Sequence, residues 1–179
     1  IVTFWPQRRL DDLADVDPEI LSAGTPPDFE FFYIDISSVR PGFIAVPETR
    51  IRFAEAPSRA RKRIRIGDVL MSSVRPNLQA FALFDRAEDE YVASTGFAVI
   101  RPRDSNSGRF ILHSLFSDNV TAQVRRLVVG SSYPAINTPD IAGLRLPTPD
   151  PAEQEAIAAV LDAVDSAITL TERTISKLK

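Results

Sequence analysis

The segment LPTPDPAEQEAIAAVLDAVDSAITLTERTISKLK (146–179) sets three prolines directly before a long run of helix-forming residues. Proline is tolerated in the first turn of a helix, because the amide hydrogen that it lacks has no partner there. We therefore predict a helix from about residue 152 to residue 179, roughly 40 Å long at 1.5 Å per residue. The prolines at 147, 149 and 151 each fix φ, which predicts a stiff exit from the preceding domain.

One face of this helix carries a heptad seam. Apolar residues recur at alternating steps of four and three, interrupted only by Thr171: Ile157, Leu161, Val164, Ile168, Ile175 and Leu178. This period is typical of helices that pair with another helix. We expect the seam to contact a partner helix, either in a second copy of the chain or in the second half of a longer chain. The alternative is that the helix folds back on its own domain.

Residues 1–147 predict an α+β domain with a twisted, mostly antiparallel sheet and flanking helices, followed by a spacer segment at 148–179. Aromatic and β-branched runs predict strands at 29–37, 42–46, 79–85 and 96–102, a β-rich run after Gly67, and a short strand at LRLP (144–147). Pro57 and Ser58 predict the start of a short helix. Helical spacing over 109–130 predicts two helices or one broken helix, with Asp118–Asn119 as the interruption or cap and Gly130 as the stop.

The net charge of −3 hides an uneven distribution of charged residues. Residues 1–35 hold two basic and eight acidic residues, whereas residues 40–75 hold nine basic residues against three acidic ones. Residues 101–126 add five basic residues against two acidic ones. Because a phosphate backbone responds to the local field, this pattern predicts a basic face that binds nucleic acid. The alternative is an arginine-rich surface that contacts only solvent.

The sequence lacks the patterns that catalysis, cofactors or metals require. There is no cysteine, and the single histidine, His113, lies among apolar residues of a predicted helix, which favours packing over proton transfer. The seven glycines are scattered, so they form no G-x-G loop for a nucleotide or S-adenosylmethionine. We expect no enzyme activity, no cofactor and no metal site. No apolar run approaches the roughly 20 residues that span a bilayer, which predicts a cytoplasmic protein without a membrane partner.

Five segments follow one another in the order and spacing of a known family: SRARKRIRIGDVLMSSVRP (58–76), VASTGFAVIRP (92–102), GSSYPAIN (130–137), IAGLRLPTPDPAEQEAIAAVLDAVD (141–165) and ITLTERTISKLK (168–179). Together they resemble the target-recognition half of a type I restriction–modification specificity subunit, from about residue 5 to the end. Any one segment alone is a weak signal, whereas the Leu-Pro-x-Pro, Glu-Gln and Ile-Ala-x-x-Leu-Asp elements in combination are fairly specific.

This resemblance implies a non-catalytic subunit used in phage defence. Such subunits hold two target-recognition domains, each followed by a long helix, and the antiparallel helices set the distance between two half-sites in double-stranded DNA. A methyltransferase subunit and a motor-nuclease subunit dock on them. The present chain departs in holding one domain and one helix, so we expect a fragment or a half-subunit that dimerises. The competing hypothesis is a coiled-coil protein-interaction adaptor without sequence-specific DNA binding.

The resemblance implies that the recognition domain contacts DNA, and polar residues of this domain are the candidates for those contacts. The basic residues Arg59, Arg61, Lys62, Arg63 and Arg75 are predicted to bind phosphates or guanine. Asn77 and Gln79 follow the Arg75–Pro76 turn and are predicted adenine readers. The loop residues Ser131, Ser132, Tyr133 and Asn137 are predicted to hydrogen-bond the DNA backbone. For Asn77, Gln79 and Asn137, ordinary turn chemistry is an equally good interpretation.

Overall fold

A computed structural model describes residues 5–86, 90–130 and 133–177 of the chain. The strands are β1 Gln7–Arg9, β2 Ala14–Val16, β3 Glu30–Ile34, β4 Val39–Arg40, β5 Phe43–Ile44, β6 Ile51–Arg52, β7 Ala60–Ile64, β8 Val69–Ser72, β9 Phe81–Leu83, β10 Tyr91–Ser94, β11 Phe97–Pro102 and β12 Arg145–Pro147. The helices are α1 Leu10–Leu13, α2 Gly108–Phe116, α3 Asp118–Leu127, α4 Thr138–Ala142 and α5 Pro151–Lys177, with single 3₁₀ turns at Ile36–Ser38 and Pro76–Leu78.

Two four-stranded sheets form the centre of the domain. The first has the strand order β6-β3-β10-β7 and the second β2-β11-β8-β9. The β3–β10 pair is parallel, whereas the other pairs of these two sheets are antiparallel. The prediction of an α+β fold with a mostly antiparallel sheet, flanking helices and a long C-terminal helix is confirmed.

The second sheet is buried on both faces. In β8, Leu70 packs toward the first sheet, while Val69 and Met71 pack toward α1–α4. The same alternation continues in β11, where Phe97 and Val99 face the first sheet and Ala98 and Ile100 face the helices. Side chains of successive strand residues point to opposite faces. The molecule is therefore layered as sheet, sheet and helices, and near-continuous apolar strands lie in the middle layer.

Gly96 joins the two sheets at the turn between β10 and β11. A Cβ at this position would lie 2.1 Å from Cδ1 of Ile36, closer than two carbon atoms can approach. The carbonyl of Gly96 accepts a hydrogen bond from the amide of Ser73, 2.8 Å away, just beyond β8. The neighbouring amide of Thr95 donates to the carbonyl of Arg59 at 2.8 Å. This turn thus ties the start of β7 to the end of β8.

The prediction of a short helix after Pro57 and Ser58 is wrong, because residues 60–64 form strand β7. The alternation along β7 is hidden in the sequence by a lysine that points inward. Ala60, Lys62 and Ile64 are buried, while Arg61 and Arg63 are partly exposed. Because a lysine occupies a core position, the sequence of β7 resembles a run of surface charges. The carboxylate that binds this lysine belongs to Asp17, 45 residues away in sequence.

The predicted pair of helices over 109–130 is confirmed, with a break one residue before Asp118. Ser117 ends α2 and caps α3, since its hydroxyl accepts a hydrogen bond from the amide of Val120 at 3.3 Å. Gly130 does not follow directly on α3, which ends at Leu127. Its φ of +94° instead serves the turn where Val129 and Ala135 exchange backbone hydrogen bonds.

The long helix α5 is anchored to the domain at its first turns. The N-terminal strand β1 pairs with β12 just before this helix, and the indole of Trp5 donates to Glu153 at 3.2 Å. The buried Gln154 accepts from the amide of Ser107 at 3.0 Å and donates to the carbonyl of Pro149 at 3.1 Å. Among the described residues, no helix combines the length and the apolar character needed to cross a membrane.

Candidate nucleic-acid interface

Two loops are joined by backbone hydrogen bonds into one surface. The amide of Arg75 donates to the carbonyl of Pro134 at 2.7 Å, and the amide of Ile136 donates to the carbonyl of Ser73 at 2.9 Å. Val74 and Ala135 form an isolated antiparallel bridge between these bonds. The segments 73–79 and 133–137, distant in sequence, are therefore held in a fixed relation by main-chain hydrogen bonds. We call this pair of segments the loop surface.

Arg75 occupies a strained position in the loop surface. Its φ of 49° and ψ of 52° place it in the left-handed region, and Gln79 has a φ of 50° at the other end of the 3₁₀ turn. Such backbone conformations cost non-glycine residues on the order of 1–3 kcal/mol and cluster at functional sites. The guanidinium of Arg75 lies over the ring of the exposed Tyr133, with its central carbon 4.8 Å from the ring centroid. The structure thus brings together two predicted site residues that the sequence separates by 58 positions.

The predicted basic contacts on β7 fall into two groups. Arg59 is exposed at the strand's beginning, next to the Thr95–Gly96 turn. Arg61 and Arg63 point to the outer face of the first sheet and lie over the rings of Phe53 and Phe29. Lys62 points inward instead: it is 7% exposed and its Nζ binds Asp17 at 2.6 Å and the carbonyl of Phe97 at 2.5 Å. Lys62 is therefore not placed to meet a phosphate.

Much of the basic segment is neutralised by the acidic N-terminal segment. Ion pairs join Asp17 to Lys62 at 2.6 Å, Glu19 to Arg65 at 2.7 Å and Glu30 to Arg52 at 3.4 Å. Arg63 pairs with Glu90 at 2.5 Å. The positive charge of these four cations is therefore partly offset by neighbouring carboxylates, which reduces the net positive charge that residues 40–75 can present. Of the predicted basic contacts, Arg59, Arg61 and Arg75 make no ion pair within the described ranges. Arg75 lies in the loop surface, Arg59 lies next to the Thr95–Gly96 turn, and Arg61 lies on the outer face of the first sheet.

The predicted amide readers behave differently from one another. Asn77 is exposed, and its side chain has no hydrogen bond within the described parts of the chain. Gln79 lies at the edge of the loop surface, where its Nε2 is 3.4 Å from the hydroxyl of Thr121. Asn137 caps α4 by accepting from the amide of Asp140 at 2.8 Å, which is the turn chemistry considered as its alternative role. Ser131 and Ser132 lie outside the described residues.

Beside the loop surface lies a partly apolar cavity of about 320 Å³. Its rim carries the side chains of Asn77, Gln79, Thr121 and Arg125, and its wall includes Phe81 and Val124.

Asp35 and Tyr33 lie near Arg59. Burial would raise the pKa of Asp35, but hydrogen bonds from Ser37 and Tyr33 outweigh burial and leave that pKa below its usual value. The lowered pKa keeps Asp35 ionised at neutral pH, so a negative charge remains near Arg59.

The heptad seam of α5 is exposed along most of its length. Leu161, Val164, Ile168 and Ile175 are 39–50% exposed, Ile157 is half-buried, and Leu178 lies outside the described residues. The helix contacts the domain through Gln154, Ala158 and Asp162, and each of the last two follows a seam residue by one position. One residue corresponds to about 100° around a helix. The seam therefore lies to one side of the domain contact, on average about 100° around the helix, and most of its residues stay exposed. This exposure argues against the alternative in which the helix folds back on its seam.

The comparison with known protein families shows which family this chain belongs to. Residues 53–179 match the family model described as the type I restriction modification DNA specificity domain. This match covers the loop surface, β7 and the whole of α5. The chain belongs to the type I restriction–modification DNA specificity domain family.

Individual relatives agree with the family match. The chain is 27% identical over 166 residues to the type I restriction enzyme HindI specificity subunit of Haemophilus influenzae, covering 91% of this chain and 33% of that protein. The crystal structure of the HsdS subunit from Thermoanaerobacter tengcongensis is similar with a TM-score of 0.82 at 32% identity, covering 97% of this chain and 45% of that one. A chain from a structural study of type I restriction–modification complex assembly and conformational transition has a TM-score of 0.83 at 34% identity, covering 95% and 44%. The chain thus spans less than half the length of each of these relatives.

Within this specificity domain, sequence reasoning missed residues that orient the predicted contacts. Asp17 binds Lys62, the hydroxyl of Thr138 at 3.0 Å and the amide of Val99 at 2.9 Å, which ties β7 to β11 and α4. Gln154, the last residue of the Glu-Gln pair in the helix motif, is a buried linker rather than a surface residue. An amide inside an otherwise apolar helix face is the signal that could have identified it. His113 is paired with Asp162 at 2.8 Å, so it joins α2 to α5.

Proposed function

We propose that this chain recognises one half of a bipartite sequence in double-stranded DNA as part of a type I specificity subunit. The observation that carries this proposal is the loop surface, where main-chain hydrogen bonds hold Arg75, Asn77 and Tyr133 together on an exposed face next to Arg59. Arginine and asparagine are the side chains best suited to bidentate contacts with guanine and adenine. Membership of the specificity domain family supports the same role.

The proposal includes a non-catalytic role and protein partners. We expect the exposed seam of α5 to pair with another long helix, in a second copy of this chain or in the second half of the full-length subunit. The family relationship makes that pairing antiparallel, with a recognition domain at each end. A methyltransferase subunit and a motor-nuclease subunit would then supply the chemistry. In the part of the chain that the structure describes, no three acidic or histidine side chains are grouped to hold a metal ion.

Salt-dependent binding tests the DNA proposal. A protein that neutralises phosphates releases counterions, so its affinity for duplex DNA falls with salt by a slope of about −0.9 per phosphate contacted. The combined change Arg59→Ala and Arg61→Ala removes up to two phosphate contacts, so the magnitude of this slope should fall by up to about 1.8. Arg103, ion-paired to Asp15 at 2.7 Å, supplies the matched control, and Arg103→Ala should leave the slope unchanged.

The same titration separates the proposal from the adaptor hypothesis. A protein-interaction adaptor would form the helix pair while showing no salt-dependent affinity for duplexes. Fluorescence anisotropy with labelled duplexes between about 50 and 200 mM salt spans a range in which the affinity of a protein with 6–10 phosphate contacts falls by about 10³–10⁵. A flat response for the wild-type subunit would reject DNA recognition.

A further inference from the structure

We propose that Tyr133 is a positioning residue that acts on DNA through Arg75. Its ring holds the guanidinium flat, so that the in-plane N–H groups point outward for a bidentate contact with a guanine. This inference rests on the proposed DNA-reading function and adds a division of labour within the loop surface: one residue reads, the other orients.

The geometry of the pair supports this division. The guanidinium carbon of Arg75 lies 4.8 Å from the centroid of the Tyr133 ring, within the range of a cation–π contact. Stacking occupies the flat face of a guanidinium and leaves its edge free to donate hydrogen bonds. Tyr133 is 72% exposed, so it contributes little to the core.

Within the described residues, the guanidinium N–H groups of Arg75 make no hydrogen bond, whereas those of two other arginines that lie over aromatic rings do. Arg61 also lies 4.8 Å above a ring, that of Phe53, but its Nη1 donates to the carbonyl of Ala60 at 2.7 Å. Arg63 lies over Phe29 and donates to Glu90. For Arg75, the ring of Tyr133 is the interaction that the described residues provide, which leaves the guanidinium available to an external acceptor.

The backbone holds both residues of the pair before any ligand arrives. The amide of Arg75 donates to the carbonyl of Pro134, the residue directly after Tyr133, at 2.7 Å. Arg75 has a left-handed φ of 49° and lies between the Val74–Ala135 bridge and Pro76. A strained backbone that persists in a fixed loop is the kind of outlier from which a functional role is inferred.

Holding Arg75 in place should strengthen binding without adding a contact. Ordering a long side chain on binding costs affinity, roughly 2- to 12-fold for one such residue. An arginine already stacked in its reading geometry avoids much of this loss. Loss of the ring should therefore weaken both affinity and the preference for guanine at the position that Arg75 reads.

The test uses the full-length specificity subunit and a library of 30-base-pair duplexes with a randomised centre. Bound duplexes are sequenced for the wild type and for Arg75→Ala, Tyr133→Ala, Tyr133→Phe and the double alanine variant. Arg75→Ala should lose roughly 5- to 150-fold discrimination for guanine at one position. Tyr133→Ala should lose preference at that same position, Tyr133→Phe should retain it, and the double variant should match Arg75→Ala. Val129→Ala, which changes an exposed residue of the same loop, is the control for general disturbance.

The outcomes separate this inference from the function on which it rests. If the wild type enriches no sequence, both fail together. If the wild type enriches a motif and Tyr133→Ala keeps the full guanine preference, only the positioning role fails. Equal losses in Tyr133→Phe and Tyr133→Ala would assign a direct contact to the hydroxyl and also overturn it.

A second readout tests the pair without DNA. The Nε–H resonance of Arg75, assigned by its loss in Arg75→Ala, should be shifted by the ring current of Tyr133. Tyr133→Ala should remove this shift and Tyr133→Phe should keep it. If the Nε–H resonance has the same chemical shift in the wild type, Tyr133→Ala and Tyr133→Phe, the contact between Arg75 and Tyr133 does not form in solution.

Discussion

At the scale of single residues, the buried pair of Asp17 and Lys62 determines how β7 presents its arginines. The two side chains are each 9% exposed and 2.6 Å apart, and Asp17 also accepts from Thr138 and Val99. Because Lys62 points inward, its neighbours Arg61 and Arg63 must point outward on the same strand. The pair also fixes β7 against β11, from which the turn at Gly96 reaches the loop surface.

Breaking this pair should destabilise the fold strongly. Lys62→Met leaves the carboxylate of Asp17 buried without its cation, which typically costs about 3–5 kcal/mol. The exposed pair of Arg63 and Glu90 gives the matched control, and Arg63→Met should cost less than about 1 kcal/mol. Urea unfolding of the two variants measures both costs. Equal values would contradict the structural role assigned to Lys62.

Glu19 should make stability depend on acid pH. Burial would raise the pKa of Glu19, but hydrogen bonds from Arg101 and Arg65 outweigh burial and lower that pKa. A lowered pKa in the folded state contributes stability above the unfolded value of about 4.3, and the contribution is lost as pH falls through the folded pKa. Glu19→Gln should therefore reduce stability at pH 7 and flatten its decline on acidification below about pH 4.3. Denaturant unfolding across this range, with the exposed Glu155→Gln as control, measures the difference, and parallel curves for Glu19→Gln and wild type would refute it.

At the scale of secondary-structure elements, α5 is attached at its start and exposed beyond it. Gln154 links the amide of Ser107 at the beginning of α2 to the carbonyl of Pro149 before α5, and Asp162 reaches His113 and Arg109 on α2 at 2.8 and 3.3 Å. These contacts set the direction in which the helix leaves the domain. The seam, about 100° away around the axis, stays open.

Replacing Gln154 should loosen this attachment. Gln154→Leu fits the space but leaves the Ser107 amide and the Pro149 carbonyl buried without partners, at about 1–3 kcal/mol for each. Hydrogen exchange of the α2 and α5 backbone amides should accelerate, whereas Glu155→Ala on the exposed side should change little. Unchanged exchange in Gln154→Leu would show that the first turns of α5 do not depend on this side chain.

The elements differ in how far the sequence could predict them. Aromatic and β-branched runs identified β3, β8, β9 and β11, and the heptad pattern identified α5, because each signal lies within one segment. Strand β7 was missed because the partner of its inward lysine is Asp17, far away in sequence. The loop surface could not be predicted as one unit either. Its two halves are joined by backbone hydrogen bonds between residues 73–75 and 134–136, which side-chain patterns do not reveal.

At the scale of the whole molecule, the proposed function joins a reading domain to a spacer. Leu161 and Ile168 on the seam are 39% and 50% exposed. An isolated helix of this length is only marginally stable in water, so we expect these side chains to pack against another helix. Leu161→Asp combined with Ile168→Asp should abolish helix pairing and leave a protein with weak, single-site DNA affinity. Sedimentation of the wild type and this variant at several concentrations measures the association. A wild type that does not associate through this seam, with α5 protected from exchange, would reject the spacer role.

The most direct test of the account is the spacing between the two half-sites that the assembled subunit selects. Duplicating residues 161–167, together with the matching heptad of the partner helix, keeps the seam in phase and lengthens the spacer by about 10 Å. Selection from a randomised duplex library should then yield the same half-site motifs as the wild type, separated by about three additional base pairs. Unchanged spacing, or the absence of any selected motif, would contradict recognition of a split site by domains held apart on paired helices.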